Sequence, residues 1–250
     1  MLSVVLAPRA TAWPSPVRTD ERGMVIAEAC GFRVRVSPEL IAEPDRCVRV
    51  LTKLRSDLSG LEEIIPEHVF GLLRRRTTFW IENQGAVVPG GMSGRGMVFH
   101  PSAIWLRTNG LDPERAGGIE IVRAEDFLAW ADSQPMMVLH ELAHAYHHLI
   151  GIEDASLSAA FDTAVAEGTY DRVRRVGRDE PHRERAYAMS NIREYFSELS
   201  EAYFGVNDFE PFDRAALRAF DPAGHAAVER LWGLDVEALA SRITPEGRVE

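Results

Sequence analysis

The spacing of hydrophobic residues predicts strands mainly in the first half of the chain. Two short β-rich runs, residues 25–29 and 32–36, predict a hairpin. Apolar residues alternate with arginines in the second run, so one of its faces is expected to be solvated. Three further runs are rich in β-branched and aromatic residues and predict strands at 77–82, 97–100 and 118–122.

Apolar residues at helical spacing predict helices between and after these strands. The first covers residues 46–61, and Pro66 stands where a first-turn proline opens a second helix that ends near residue 75. After the strands, the same spacing predicts helices at 125–130, 135–150, 157–167, 191–204 and 215–232. A strand-containing half followed by a helical half is typical of the α+β class.

The chain is predicted to form an arm and a single domain. Residues 1–23 are rich in Pro, Arg and Ser without periodicity, which predicts a loosely ordered N-terminal arm. Residues 24–250 form the domain, with a strand-containing part at 24–134 and a helical part at 135–250. The glycine-rich stretch at 84–96 is interpreted as a connector, with a flap over a cleft as the alternative.

Composition and charge bear on location and partners. The 28 basic and 38 acidic side chains give a net charge of −10, which disfavours nucleic acid as a partner. No apolar run reaches the roughly 18 residues of a membrane span. The start has no recognisable signal peptide, so we expect a cytoplasmic location by default, with secretion open if the start is truncated. Cys30 and Cys47 are expected to be small buried hydrophobes or one optional disulfide.

The segment with the clearest chemistry contains His140, Glu141 and His144 in the order H-E-x-x-H. Two histidines four residues apart lie on one face of a helix and can bind a single Zn²⁺, so we expect one zinc ion per chain. Glu141 beside them is placed to act as the general base. His147 and His148 are expected to be exposed to solvent. The opposite face of the helix carries apolar residues at helical spacing: Leu139, Leu142, Ala143, Tyr146 and Leu149.

A catalytic zinc site needs a third protein ligand and an open fourth position. The extended motif that adds a third histidine is excluded, because the position it requires is occupied by Ile150. A glutamate from a later helix remains, with Glu167, Glu194 and Glu198 as candidates. Helix 191–204 is the better source, because Glu194 and Glu198 lie on one face of it. One carboxylate could then bind metal while the other orients a histidine.

Structural interpretations of the same residues stay open at this point. Asn191 is a typical N-cap, and Glu194 three residues later would complete a capping box that needs no metal. Glu198 and Glu201 could simply be solvated. Tyr187 would reach the same site if the helix begins close by, where its hydroxyl could donate to an oxyanion, or it could be an exposed tyrosine.

These motifs resemble the catalytic domain of the anthrax lethal factor family of gluzincin peptidases. That family combines an H-E-x-x-H helix with the later pattern Y-x6-E-F-F-x-E, and this chain has HELAH at 140–144 and YAMSNIREYFSE at 187–198, with Tyr195 in place of a phenylalanine. A wider group of bacterial and fungal metallopeptidase-like sequences shares the patterns HPSxxWL and EAYFGxNDFxPF. These appear here as HPSAIWL at 100–106 and EAYFGVNDFEPF at 201–212.

The resemblance implies a role for each matched residue. Glu194 takes the place of the third zinc ligand, Glu198 that of the supporting carboxylate and Tyr187 that of the tyrosine that stabilises the transition state. Asn191 matches the asparagine before the ligand. The receptor-binding and substrate-docking domains of lethal factor have no counterpart in 250 residues, so its biological role does not carry over.

We therefore expect an α+β, zincin-like domain in which a small mixed sheet packs on the H-E-x-x-H helix. Either 77–82 or 118–122 is expected to edge the cleft, and His100 to be a packed residue. The predicted function is a zinc metallopeptidase, an endopeptidase that hydrolyses peptide or protein substrates with Glu141 as general base. The alternatives are a zinc-binding interaction or regulatory module without hydrolysis, and a hydrolase of non-peptide amides. The oligomeric state is left open.

Overall fold

The computed structural model describes residues 18–85, 96–151, 153–179 and 181–234. Most of the predicted N-terminal arm and most of the glycine-rich stretch therefore lie outside the described residues. The described part is a mixed α+β structure, which confirms the predicted fold class at that level.

Six strands form one mixed sheet in the described residues, in the order β1-β2-β3-β4-β6-β5. Strands β1, β2 and β3 are antiparallel neighbours, β3, β4 and β6 run parallel, and β5 returns antiparallel to β6. The predicted strands are all present, with ends that agree within one residue. The strands are β1 (Arg18–Thr19), β2 (Val25–Ala29), β3 (Phe32–Val36), β4 (Thr78–Ile81), β5 (Met97–Phe99) and β6 (Ile119–Ile121).

The predicted hairpin forms through a two-residue turn between β2 and β3. Ala29 pairs with Phe32, and the turn residues Cys30 and Gly31 have positive φ angles of 47° and 81°. Two left-handed residues give the twist that a tight hairpin requires, and glycine adopts this conformation at no steric cost. The turn also packs closely, because a Cβ atom at Gly31 would lie 3.0 Å from Arg74 Cδ.

Ten α-helices occur in the described residues. Helices α1 and α4 were not predicted, because four and six residues are too few to show a helical period. The predicted helix 215–232 is two helices, because Pro222 lacks a backbone N–H and begins a new helix capped by Asp221. The helices are α1 (Pro38–Ile41), α2 (Pro44–Ile64), α3 (Glu67–Arg76), α4 (Ala103–Thr108), α5 (Ala124–Ala129), α6 (Met137–Ile150), α7 (Ala155–Glu167), α8 (Ile192–Phe204), α9 (Arg214–Phe220) and α10 (Pro222–Trp232).

Helix α6 is buried around nearly its whole circumference. It packs against α8 and β5, and also contacts α2 and α3. The expectation that His147 is exposed to solvent is wrong, because α8 covers that side of the helix. His147 is 1% exposed, and its ring lies 4.8 Å from the Phe196 ring between centroids. His148 is half-buried beside Phe99.

The strand that edges the cleft is β5, so the expectation for 77–82 or 118–122 is wrong. Strands β4 and β6 pair with neighbours on both sides, and their runs TFWI and IEI are almost entirely buried, as is typical of interior strands. Strand β5 ends the sheet, and its three residues line the pocket beside α6.

Two smaller expectations concern the cysteines and the membrane. Cys30 is half-buried and Cys47 is buried, and neither forms a disulfide. Burial raises the pKa of the Cys47 thiol to about 11, in keeping with a small core residue. None of the described helices combines the length and the apolar composition that a membrane-spanning segment requires.

A buried polar network holds the end of β5 to the sheet. His100 Nε2 lies 2.8 Å from one carboxylate oxygen of Glu120, and Arg115 Nη1 lies 2.5 Å from the other. Arg115 also contacts Glu82 and lies over the Trp80 ring. Burial acts to raise the pKa of Glu120, but the hydrogen bond from His100 and the charge of Arg115 outweigh it and lower that pKa. His100 is therefore a packed residue, as expected.

Replacing Glu120 by Gln is expected to lower the free energy of unfolding at pH 7 by about 3 kcal/mol, because Arg115 and His100 lose a buried charged partner. The pKa of Glu120 is lowered in the folded state. Its stabilising contribution is therefore present above the unfolded-state pKa of about 4.3 and is lost as the pH falls through the folded-state value. Urea denaturation at pH 7 and at successively lower pH should show the two proteins converge in stability.

The matched control is Glu114→Gln, which removes the exposed ion pair between Glu114 Oε1 and Arg22 Nη2, 3.2 Å apart. This change should alter the free energy of unfolding by less than about 1 kcal/mol. Equal stabilities of wild type and Glu120→Gln at pH 7 would contradict a stabilising role for the network.

Candidate metal centre

Helix α6 places His140, Glu141 and His144 on the wall of a pocket of about 460 Å³. The four-residue spacing brings the two histidine rings together, with their centroids 4.8 Å apart. Their Nε2 atoms lie 3.1 Å apart. Both imidazoles therefore direct a nitrogen atom to the same point.

Helix α8 brings Glu194 to this point from the opposite side. The Asn191 side chain caps α8 by accepting from two backbone N–H groups of its first turn. The Glu194 carboxylate faces the histidines, with Oε2 3.0 Å from His140 Nε2 and 3.2 Å from His144 Nε2. Glu167, the other candidate ligand, is exposed at the end of α7.

The spacing of these three donor atoms fits a four-coordinate metal ion. They lie 3.0–3.2 Å from one another, whereas ligands about 2.0–2.1 Å from a tetrahedral zinc ion lie about 3.3 Å apart. The described residues His140, His144 and Glu194 could therefore hold a metal ion. Two imidazoles and one carboxylate suit zinc better than calcium or magnesium, which prefer oxygen ligands.

The second ring nitrogen of His140 also has a carboxylate partner. Its Nδ1 lies 2.6 Å from Glu201 Oε1, and when the carboxylate accepts this hydrogen bond the proton is on Nδ1. In the neutral ring Nε2 then carries a lone pair that faces Glu194 Oε2, which is also an acceptor. A metal ion, or a second proton on the ring, would stabilise this contact. Ser197 Oγ lies 3.1 Å from His144 Nδ1 and orients the second ring.

The carboxylate in closest contact with His140 Nδ1 is Glu201 rather than Glu198. Glu198 Oε1 lies 3.9 Å from that nitrogen, and Glu201 Oε1 lies 2.6 Å from it. The interpretation of both residues as solvated is wrong, because Glu198 is 2% and Glu201 4% exposed. The sequence contains the signal for Glu201, since residues 194, 198 and 201 recur at i, i+4 and i+7 and share one face of α8.

A second group of side chains in the described residues could also hold a metal ion, namely His140, Glu198 and Glu201. All three are buried, and the cavity beside them has a volume of only about 10 Å³. A substrate could not reach a metal ion in that space. The group that contains His144 and Glu194 is therefore the better candidate for a site that acts on a substrate.

The ionisation of Glu194 is consistent with a ligand role. Burial acts to raise its pKa, but hydrogen bonds and charge from His140 and His144 outweigh burial and hold that pKa well below its usual range. Carboxylate ligands must be deprotonated to bind a metal ion. Glu194 therefore meets this requirement at neutral pH.

Two further groups in the pocket are not needed as metal donors. Glu141 is 3% exposed, and its Oε2 accepts a hydrogen bond of 2.7 Å from the backbone N–H of Phe99 in β5. The Tyr187 hydroxyl donates to Glu194 Oε1 at 3.2 Å. The structure thus brings six of the sequence-predicted site residues to one pocket: His140, Glu141, His144, Tyr187, Asn191 and Glu194.

The His144→Ala variant distinguishes the two donor groups. If the pocket group binds zinc, this variant and Glu194→Ala should each weaken zinc binding by more than about 100-fold, because each removes a direct ligand. Glu201→Ala should weaken it by about 10- to 100-fold through the loss of the His140 Nδ1 contact, and Glu198→Ala by less. Zinc content by elemental analysis and competition with a chromophoric chelator would measure these changes.

His182→Ala is the matched control, because the His182 side chain is about half exposed and its ring contacts Glu184 outside the pocket. Full zinc retention in His144→Ala together with loss of zinc in Glu198→Ala would move the metal to the buried group.

Comparisons with known proteins complete the description of the site. No family model matches the sequence, and neither the curated proteins nor the solved structures contain a match. The side chains of the pocket and the motif resemblance are therefore the grounds on which a function can be proposed.

Proposed function

We propose that this protein is a zinc-dependent metallopeptidase of the gluzincin type. The observation that carries the proposal is the meeting of three metal donors, a buried carboxylate and a tyrosine hydroxyl in one pocket beside an edge strand. His140, His144 and Glu194 would hold the zinc ion. The packing of the H-E-x-x-H helix against the edge of a mixed sheet supports a zincin-like fold.

Glu141 acts as the general base in this proposal. A zinc ion held by His140, His144 and Glu194 would supply Lewis-acid chemistry, lowering the pKa of water and polarising a substrate carbonyl. Glu141 takes a proton from the attacking water and later passes it to the leaving amine. The Phe99 N–H holds one oxygen of the carboxylate, which leaves the other oxygen for proton transfer.

Tyr187 stabilises the negative charge that develops on the carbonyl oxygen. Its hydroxyl group lies in the pocket beside Glu194, so it is close to the proposed metal position. The hydroxyl would exchange its hydrogen bond to Glu194 for one to the carbonyl oxygen, and this bond would strengthen as charge develops there.

The outer edge of β5 provides backbone groups for an extended peptide. Gly96 and His100 pair with the β6 side, so the alternate residues Met97 and Phe99 direct their backbone groups away from β6. Glu141 takes the N–H of Phe99, and within the described part of the chain the N–H and C=O of Met97 and the C=O of Phe99 have no backbone partner. A substrate strand that pairs with these groups would present its scissile carbonyl to the pocket.

The alternative function is a zinc-binding module that does not hydrolyse its partner. One observation favours it, the fully buried group of His140, Glu198 and Glu201, because structural metal sites are closed to substrate. That group leaves Glu141 and Tyr187 without a role in the pocket. The peptidase proposal explains both.

Glu141→Gln should retain about one zinc ion per chain and lose about 10²- to 10⁴-fold in kcat/KM, because the amide cannot accept the proton. Elemental analysis and a fluorogenic peptide library would measure the two quantities on the same preparation. Glu63→Gln, on an exposed position of α2, is the control for loss of one negative charge.

Cleavage by Glu141→Gln at the wild-type rate would refute the proposed mechanism. A wild-type protein that binds zinc and cleaves no peptide in the library would instead favour the non-catalytic module.

Tyr187→Phe should lower kcat by about 10²-fold and change KM little, because the hydroxyl acts on charge that develops only in the transition state. Steady-state kinetics on the best library peptide would test this. Tyr203→Phe removes a hydroxyl that bonds to Arg214 and Glu229 outside the pocket, and it should leave kcat unchanged. An unchanged kcat in Tyr187→Phe would remove Tyr187 from the mechanism.

A further inference from the structure

One wall of the pocket carries arginine side chains in a chain whose net charge is −10. Arg193 lies in the first turn of α8, directly before Glu194, and is exposed. Arg175 lies on the same pocket and is about 30% exposed. Met97, Val98 and Phe99 of β5 also line the pocket, so the two arginines face a substrate that pairs with β5.

The Arg193 guanidinium is available to a ligand, whereas Arg175 already takes part in two ion pairs. Within the described residues, no hydrogen bond or ion pair engages the Arg193 guanidinium, and the residue lies at the positive end of the α8 dipole. Arg175 Nε lies 3.5 Å from Asp208 and its Nη1 3.8 Å from Glu184, and neither contact is a hydrogen bond. The Arg175 guanidinium lies over the Phe209 ring, 4.6 Å from its centroid, which limits its movement.

The acidic groups of the pocket are already engaged. Glu194 contacts both ligand histidines, and Glu141 accepts from the Phe99 N–H. A basic substrate side chain would therefore be repelled by the two arginines, and the nearby carboxylates of Glu194 and Glu141 already have other partners. A carboxylate would instead meet guanidinium groups, whose planar pairs of N–H donors match its two oxygens.

The arginine wall continues beyond the pocket. A neighbouring groove of about 360 Å³ shares Arg175, Tyr187 and Phe209 with the pocket and also contains Arg185 and one carboxylate, that of Glu184. A peptide that leaves the metal position past Tyr187 would run along these side chains. The residues of this peptide that lie nearest to Arg175 and Arg193 would be those next to the scissile bond.

We propose that Arg193 and Arg175 bind a carboxylate of the substrate and so select peptides with an acidic group near the scissile bond. This inference rests on the proposed peptidase function. The carboxylate is either the side chain of an internal Asp or Glu, or the free C-terminus of a short peptide. Both offer the same chemistry, and the experiment separates them.

The test uses the full-length, zinc-loaded protein and N-acetylated decapeptides. In the first arm the peptides are C-terminally amidated and carry Glu or Gln at each of three positions on either side of the cleavage site. In the second arm the Gln peptides carry a free C-terminal carboxylate or an amide. Cleavage is measured as kcat/KM, and binding is measured by fluorescence anisotropy on the Glu141→Gln protein.

We expect a preference of about 10-fold or more for Glu over Gln at one position, or for the free carboxylate over the amide, in both cleavage and binding. Arg193→Gln should remove most of this preference, and Arg193→Glu should reverse it. Arg193→Lys should retain part of the preference, because lysine keeps the charge but lacks the planar pair of donors. Arg175→Gln should reduce it. Arg218→Gln, an exposed arginine of α9, is the matched control and should leave it unchanged.

Equal cleavage and binding of the Glu, Gln, free-acid and amide peptides would overturn the inference, and so would a preference that survives in both Arg193→Gln and Arg175→Gln. If no peptide is cleaved and the carboxylate preference in binding is still lost in Arg193→Gln, the peptidase proposal fails while the carboxylate site stands. The two failures are therefore distinguishable.

Discussion

Buried ionisable groups must have partners, and this constraint governs the contact between helices α6 and α8. Glu201 contacts His140 Nδ1, Glu141 accepts from the Phe99 N–H, and Glu194 contacts the Nε2 atoms of both His140 and His144. Between Glu194 and these two Nε2 atoms, acceptor atoms face one another unless a proton or a metal ion lies between them. The two helices and the candidate metal donors therefore form one structural unit, in which Glu201 and Glu194 provide polar partners for the histidines.

Aromatic packing holds this unit in place. The Trp232 ring of α10 stacks on Tyr146 of α6 and on Phe196 of α8, with centroids 4.6 Å and 5.9 Å apart. The Tyr146 hydroxyl donates to Leu231 O, and Trp232 Nε1 donates to Ser200 Oγ. These contacts lie on the faces of α6 and α8 that point away from the pocket. Rotation of either helix would break them, so the core sets the angle at which the metal donors project.

The sequence predicts most of the elements and the centre of the site. The hairpin, the strands and the long helices follow from apolar periodicity, and His140 and His144 follow from a spacing that needs only local helix geometry. The edge position of β5, the burial of His147 and the contact of Glu201 with His140 depend on which elements become neighbours. The periodicity of apolar residues along the chain does not show which elements lie next to one another in the folded protein. The break at Pro222 was visible in the sequence, because a proline without an N–H interrupts a helix.

The hydrogen bond from the Phe99 N–H to Glu141 connects the two walls of the pocket. Glu141 follows the candidate metal donor His140 on α6, and Phe99 belongs to the strand whose outer edge faces the pocket. The same contact therefore positions the carboxylate that would move the proton and the backbone that would align a peptide. The α8 wall is fixed separately, since Asn191 caps the first turn of the helix that carries both Arg193 and Glu194. The candidate metal donor Glu194 and the proposed carboxylate-binding residue Arg193 thus lie in the same helical turn. A substrate carboxylate bound by Arg193 would therefore lie at a defined distance from the scissile bond.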